Sequence, residues 1–220
     1  MDLGLERKIA IVTGGTAGIG RGICERLISE GVKVAILDIN IDLADKAAKE
    51  LGDSTVAIKT DITRKKEVDS AVESVLSQFG KIDILVNNAG IAVLSEVEGE
   101  YDEWLSDWNR TMDINTRASA ILIRSAIPHF KQHGGGKIIN IASRAAFRGD
   151  TEEYLAYAAS KGAMVSLSRS VARAYGKDNI TSFVIAPGFV RTDMAQDAID
   201  ATRQKEGRTL YKNLCASCHK

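Results

Sequence analysis

Apolar positions along the chain follow two alternating rhythms. Short runs dense in Ile and Val recur at 8–12 (KIAIV), 32–37 (VKVAIL), 55–59 (TVAIK), 82–86 (IDILV), 137–141 (KIINI) and 181–185 (TSFVI). These runs predict six strands, several of them buried on both faces as in a parallel sheet. Between them, residues 18–30, 41–51, 65–79, about 101–133 and 153–175 carry apolar side chains at helical spacing. In the fourth of these segments Ile114, Ala118, Ile121, Leu122 and Ile127 run down one broad face.

Strand and helix alternate throughout, which implies right-handed crossovers and an α/β fold: a doubly wound, Rossmann-like parallel sheet of six strands with helices on both sides. Such sheets bind ligands at the carboxyl ends of their strands, near the point where strand order reverses. Function is therefore expected just after each strand. The alternation stops near residue 195, and no seventh strand follows in the pattern. The expected organisation is one domain over 1–200 and a tail over 201–220.

Composition narrows the class. The 220 residues suffice for one domain with a real core, and 45% hydrophobic with 26% charged residues is ordinary for a globular chain. Basic and acidic side chains balance at 29 each, so charge supports neither a nucleic-acid nor an anionic-membrane partner. Residues 1–8 are charged and carry no apolar run, unlike a signal peptide, and no stretch is apolar enough for a membrane helix. A cytoplasmic location is expected. Of three cysteines, Cys24 falls in an apolar helical pattern and reads as core, and an odd count argues against a disulfide framework.

The strand ends carry the candidate chemistry. After the first strand comes Thr13-Gly14-Gly15-Thr16-Ala17-Gly18-Ile19-Gly20, followed by a helix. Glycines there permit a sharp turn and close backbone approach to a pyrophosphate, and the helix N-terminus favours its charge. The spacing differs from G-x-G-x-x-G, and a plain strand–helix turn would read similarly. Asp38 closes the second strand, eighteen residues after Gly20. A carboxylate there accepts from adenosine ribose hydroxyls and repels a 2′-phosphate, favouring NAD over NADP. Asp61-Ile62 and Asn87-Asn88-Ala89-Gly90 follow the third and fourth strands. Such residues suit ligand contact or ordinary turn chemistry. Ser143 lies just past the fifth strand, and Tyr157 and Lys161 stand four apart in a helical segment, on one face. An ammonium beside a phenol lowers its pKa toward the range of a general acid/base, and a serine hydroxyl can hold a substrate oxygen as charge develops. A Tyr-x-x-x-Lys pair in isolation fits an amphipathic helix as well.

Taken in order, Thr13–Gly20, Asp61, Asn87–Gly90, Asn115, Ser143, Tyr157/Lys161 and Pro187-Gly188 resemble the motif set of the short-chain dehydrogenase/reductase family over about residues 5–195. The resemblance implies a hydride-transferring oxidoreductase that uses NAD(H) on a small secondary alcohol or ketone. It implies that Gly14, Gly18, Ile19 and Gly20 line the cofactor phosphates. Asp38 would bind the adenosine ribose, Asp61 with Ile62 the adenine, and Asn88, Ala89 and Gly90 the cofactor at the fourth strand end. Tyr157 would be the acid/base, Lys161 would lower its pKa and bind the nicotinamide ribose, Ser143 would orient the substrate oxygen, and Asn115 would hold a relay water. Pro187, Gly188, Val190 and Thr192 would cradle the carboxamide. A homodimer or homotetramer through the two long helices is implied, and the wide apolar arc of the first points the same way.

The resemblance also has a boundary: the family's last helix and strand have no counterpart in the pattern, which exposes a sheet edge and removes part of the expected substrate pocket. Cys215-Ala-Ser-Cys218-His219 is instead C-x-x-C-H, and the tail resembles the opening of a c-type cytochrome. The thiols would take haem c and His219 the iron, yet no second ligand follows, so no functional haem and no other metal is expected. Two alternatives stay open: a non-catalytic NAD-binding protein, and an electron-transfer fusion with haem at the tail.

Overall fold

Six strands pair side by side, all parallel, in the order β3-β2-β1-β4-β5-β6. They are β1 (Ile9–Thr13), β2 (Lys33–Asp38), β3 (Thr55–Lys59), β4 (Ile84–Asn87), β5 (Gly136–Ile141) and β6 (Ile180–Ile185). The computed structural model describes residues 3–188, Val190 and Thr192, and residues 1–188 form one compact unit. Strand order reverses between β1 and β4, which fixes the crevice where a ligand can enter.

Alternation along the central strands explains the two-sided core. Ile9 and Ile11 point to one face, with α3 (Lys65–Phe79) and α5 (Ala118–Gln132), through Val68, Val72, Leu122 and Phe130. Ala10 and Val12 point to the other, with α1 (Gly18–Ser29) and α2 (Ile41–Leu51), through Cys24, Ala44 and Ala47. All five residues of β1 are buried, as expected of a strand covered on both sides. Cys24 is fully buried, and burial pushes its thiol up to about 12, so it is inert core. No helix among the described residues is long and apolar enough to cross a membrane.

The long helical segment is not continuous. It is α4 (Tyr101–Met112), a π-helical turn over Asp113–Arg117, then α5. Apolar spacing could not reveal this, because one extra residue per turn only rotates the face that follows. The fifth helical segment begins with a 3₁₀ turn, Glu152–Tyr154, and continues as α7 (Leu155–Tyr175), after the short α6 (Ala145–Arg148). The broad apolar arc of α5 is buried within the chain: Leu122, Ile123, Ala126, Ile127 and Phe130 all lie in the core. Ala118 of the same arc is buried as well, while Ile114 and Ile121 remain partly exposed.

Phe130 is fully buried, and Gly136 at the start of β5 packs directly on its ring, where a Cβ would fall 2.2 Å from a ring carbon. Phe130→Ala should cost about 3–5 kcal/mol, read as a lower urea midpoint at an unchanged m-value. A loss below about 1 kcal/mol would mean the site collapses without a cavity.

Candidate functional site

The glycine-rich turn follows β1 because Gly14 and Gly18 adopt φ of +63° and +54°, a region that side chains disfavour. Gly20 is constrained differently. A Cβ there would meet the Gly14 carbonyl oxygen at 2.1 Å and Asn88 Nδ2 at 2.4 Å. The turn is thus folded onto itself, with the backbone of α1 close behind it. Ala17 at the N-cap provides no side-chain hydrogen bond, and the first turn of α1 holds no acid. Its leading N–H groups remain available to an anion.

Two side chains close this turn against the end of β4. The buried Thr13 hydroxyl accepts the backbone N–H groups of Asn88 and Ala89, both at 3.0 Å, and donates to the Val86 carbonyl at 3.4 Å. Asn88 Nδ2 donates to the Thr13 and Gly14 carbonyls at 2.9 and 3.0 Å. Both amide hydrogens of Asn88 thus brace the turn. Ile19 and Ile62 place their side chains against the two cores, leaving only their backbones for ligand contact.

Asp38 stands beside the turn. Thr16 Oγ1 donates to its carboxylate at 3.2 Å and Asn40 N–H at 3.0 Å. Asp61 follows β3. One of its oxygens accepts from Thr63 N–H and Oγ1, the other from Arg64 Nε. Burial opposes its charge, but these bonds outweigh it and hold the carboxyl below its ordinary range. Both oxygens serve a local turn at the start of α3.

On the other side of the crevice lie the groups with candidate chemistry. Ser143, two residues past β5, accepts Ala145 N–H at 3.1 Å and hydrogen-bonds the Tyr157 phenol. Lys161 is 4% exposed and donates to the Ile141 carbonyl at 2.9 Å, with Nζ 5.7 Å from the centre of the Tyr157 ring. The expected depression of the Tyr157 pKa is not found. Burial dominates and raises it, the Ser143 bond only partly offsets this, and the Asp150 charge adds to the rise. Burial also brings the Lys161 ammonium down to about 8.

Asn115 is fully buried inside the π-helical turn. Its Oδ1 accepts Ile91 N–H at 2.8 Å, and Nδ2 donates to the Ile91 carbonyl and Ser160 Oγ, both at 2.9 Å. Both amide hydrogens are used, so the side chain ties the π-helical turn to the loop after β4 and to α7. A Cβ on Gly90 would lie 3.0 Å from Asn115 Oδ1 and 3.1 Å from Lys161 Nζ, so only glycine fits between them. Pro187 donates no N–H, and its carbonyl accepts Arg144 N–H at 3.2 Å; Gly188 follows. Within 189–220 only Val190 and Thr192 are described, the Thr192 hydroxyl donating to the Val190 carbonyl at 3.4 Å. Cys215, Cys218 and His219 lie outside the described residues.

The sequence did not single out Thr13, Thr16 or Ser160. Thr13 had a signal, a polar residue closing a strand buried on both faces. Asn140 had a similar one, set within the apolar run KIINI. It accepts from Asn87 Nδ2 at 2.8 Å and donates to Ser182 Oγ at 3.3 Å, linking β4, β5 and β6.

The family model for short chain dehydrogenases matches residues 8–203. An NAD-dependent glycerol dehydrogenase of Listeria innocua is 34% identical over 197 residues, covering 90% of this chain and 76% of that one. A galactitol 2-dehydrogenase of Agrobacterium fabrum is 38% identical, covering 84% of this chain and 72% of that one. Among solved structures, a 3-ketoacyl-(acyl-carrier-protein) reductase from Brucella melitensis, complexed with NADH, superposes with a TM-score of 0.81 at 36% identity, over 86% of this chain and 78% of that one.

The buried ammonium has a consequence for stability. The folded chain releases the Lys161 proton near pH 8, whereas the unfolded chain holds it to about 10.5. Between these values the unfolded state binds more protons, so stability rises with pH. Wild type should gain on Lys161→Met as urea unfolding is repeated near pH 7, 8.5 and 10. A difference that stays flat would show that folding does not desolvate the ammonium.

Proposed function

This chain belongs to the short chain dehydrogenase family, and on that premise we propose that it transfers hydride between NAD(H) and a secondary alcohol or ketone, with Tyr157 as acid/base. One observation carries the reading: the Ser143 hydroxyl meets the Tyr157 phenol, with the buried Lys161 ammonium one helical turn further on. Residues 1–200 form the dehydrogenase domain in this reading.

The residues fit the cofactor. A turn that a single Cβ would block, before a helix N-terminus without side-chain cap or acid, is a cradle for a pyrophosphate. Gly14, Gly18 and Gly20 shape it, and Thr13 with Asn88 holds it closed. The Asp38 carboxylate accepts from ribose hydroxyls and disfavours a 2′-phosphate. Gly90 leaves room beside Lys161, whose ammonium holds the nicotinamide ribose. When bound, the nicotinamide supplies the hydride acceptor in oxidation and the donor in reduction.

The protein moves the proton. A buried phenol with a raised pKa is protonated at neutral pH, ready to give its hydrogen to a ketone oxygen as negative charge builds there. Ser143 donates to the same oxygen and fixes its position. In the reverse direction Tyr157 takes the hydroxyl proton, which requires positive charge nearby, and Lys161 is the cation within reach. Asn115 is a positioning residue. It locks the π-helical turn to Ile91 and Ser160, and so holds the helix that bears both Tyr157 and Lys161.

Tyr157→Phe should lower turnover by about 10²–10⁴-fold, with NADH binding by fluorescence unchanged. Activity above about a tenth of wild type would remove Tyr157 from this role. Titration should also find NADH bound more tightly than NADPH, and Asp38→Ala should narrow that gap; equal affinities in the wild type would refute the assignment of Asp38.

A further inference from the structure

A polar row crosses the carboxyl half of the sheet on the face that α7 covers. Asn87 Nδ2, at the end of β4, donates to Asn140 Oδ1 of β5 at 2.8 Å. Asn140 Nδ2 donates to Ser182 Oγ of β6 at 3.3 Å and to the Phe183 carbonyl at 3.4 Å. The Ser182 hydroxyl shares a hydrogen bond of 2.8 Å with Ser168 Oγ in α7. The row thus leads from the strand that ends next to Asn88 to the helix that bears Tyr157 and Lys161. Asn140 is fully buried, and its oxygen and amide nitrogen are both engaged. It offers nothing to a ligand, so any effect on a reaction runs through what it holds in place.

What it holds is the second attachment of α7. Lys161 and Ser168 stand seven residues apart, which is about two turns, so they share one helix face about 10 Å apart along the axis. Both are buried, at 4% and 2% exposure. Lys161 Nζ donates to the Ile141 carbonyl of β5, and Ser168 meets Ser182 of β6. A single attachment lets a helix roll about its contact; a second one, two turns on, fixes its rotation. Between the two lie Met164 and Val165, packed on Ala142 with Val184 against the same cluster. Such apolar contact is non-directional, whereas a hydrogen bond weakens steeply when misaligned. Rotation of α7 is therefore set at its polar ends.

Resting on the hydride-transfer reading, we propose that Asn140, Ser182 and Ser168 are positioning residues for the reaction. They fix the rotation of α7 against β4 and β5, and with it the place of the Tyr157 phenol relative to a nicotinamide beside Gly90. None of the three touches cofactor or substrate in this assignment. A misplacement on the order of 1 Å between reacting groups lowers a rate by up to about 10²-fold while binding is kept.

The test combines Ser168→Ala with Ser182→Ala and follows turnover of NAD with the fastest of glycerol, galactitol and cyclohexanol. The double variant should lose about tenfold in kcat, with NADH affinity by fluorescence within about twofold of wild type. Asn140→Leu, which keeps the volume and loses every bond of the row, should lose at least as much. Ser182→Thr, which keeps the hydroxyl, should retain kcat within about twofold. A purely structural row would lower the urea midpoint of these variants and leave kcat alone. Full kcat in the double serine variant would therefore overturn the assignment, as would a loss in Ser182→Thr equal to that of the double variant. So would NADH affinity that falls in step with kcat. Tyr157→Phe separates the two readings. If it is inactive while the serine variants keep full kcat, only the positioning assignment falls. If it is as active as wild type, or if none of the three alcohols is turned over while NADH binds, the hydride-transfer reading falls and this one with it.

Discussion

The site depends on how the carboxyl end of β1 is fastened to that of β4. The Thr13 hydroxyl sits between them with three partners, and Asn88 returns two bonds to the Thr13 and Gly14 carbonyls. Each such bond is worth about 1 kcal/mol net, but an unmet buried donor costs about 1–3. The arrangement is therefore held by what its loss would leave unsatisfied. It sets the width of the crevice at the switch point, the path of the glycine turn and the start of α1. Asp38 joins the same frame through Thr16, so the groups expected to grip the two ends of an adenosine diphosphate are fixed relative to each other.

A second polar lattice does the same for the chemistry. Asn115 ties the π-helical turn to the loop after β4 and to Ser160, and Lys161 ties α7 to the end of β5. A π-helical turn costs regular helix geometry and persists where tertiary bonds over-determine it. Here those bonds are visible, and they run to the helix that bears Tyr157. The lattice holds a lysine in a site that disfavours its charge. That burden suits a group whose use is electrostatic, since a desolvated cation acts more strongly on its neighbours than a solvated one.

Charge is distributed against the average. Acids and bases balance over the chain, yet residues 95–103 carry five exposed acids and Lys161 keeps its ammonium buried. At the glycine turn the first N–H groups of α1 have neither a side-chain cap nor an acid beside them.

By itself the sequence determined the layers, the number of strands and the candidate residues for chemistry. Buried parallel strands must be apolar on both faces, and a turn blocked by a Cβ must be glycine, so these constraints are written locally. The family resemblance rested on the same local constraints, taken in order. Tertiary structure decided what those residues are engaged in. The hydrogen bonds of Asn88 and Asp61 go to Thr13, Gly14, Thr63 and Arg64, partners set by packing. The break in the 101–133 helix escaped the pattern because a π-helical turn keeps the residues apolar and changes only their direction. The Tyr157 pKa escaped it because four-residue spacing puts two side chains on one face but does not aim them. Burial raises the phenol, and the Lys161 ammonium is anchored by the Ile141 carbonyl. Both effects belong to the surroundings of the helix, which only the folded chain assembles.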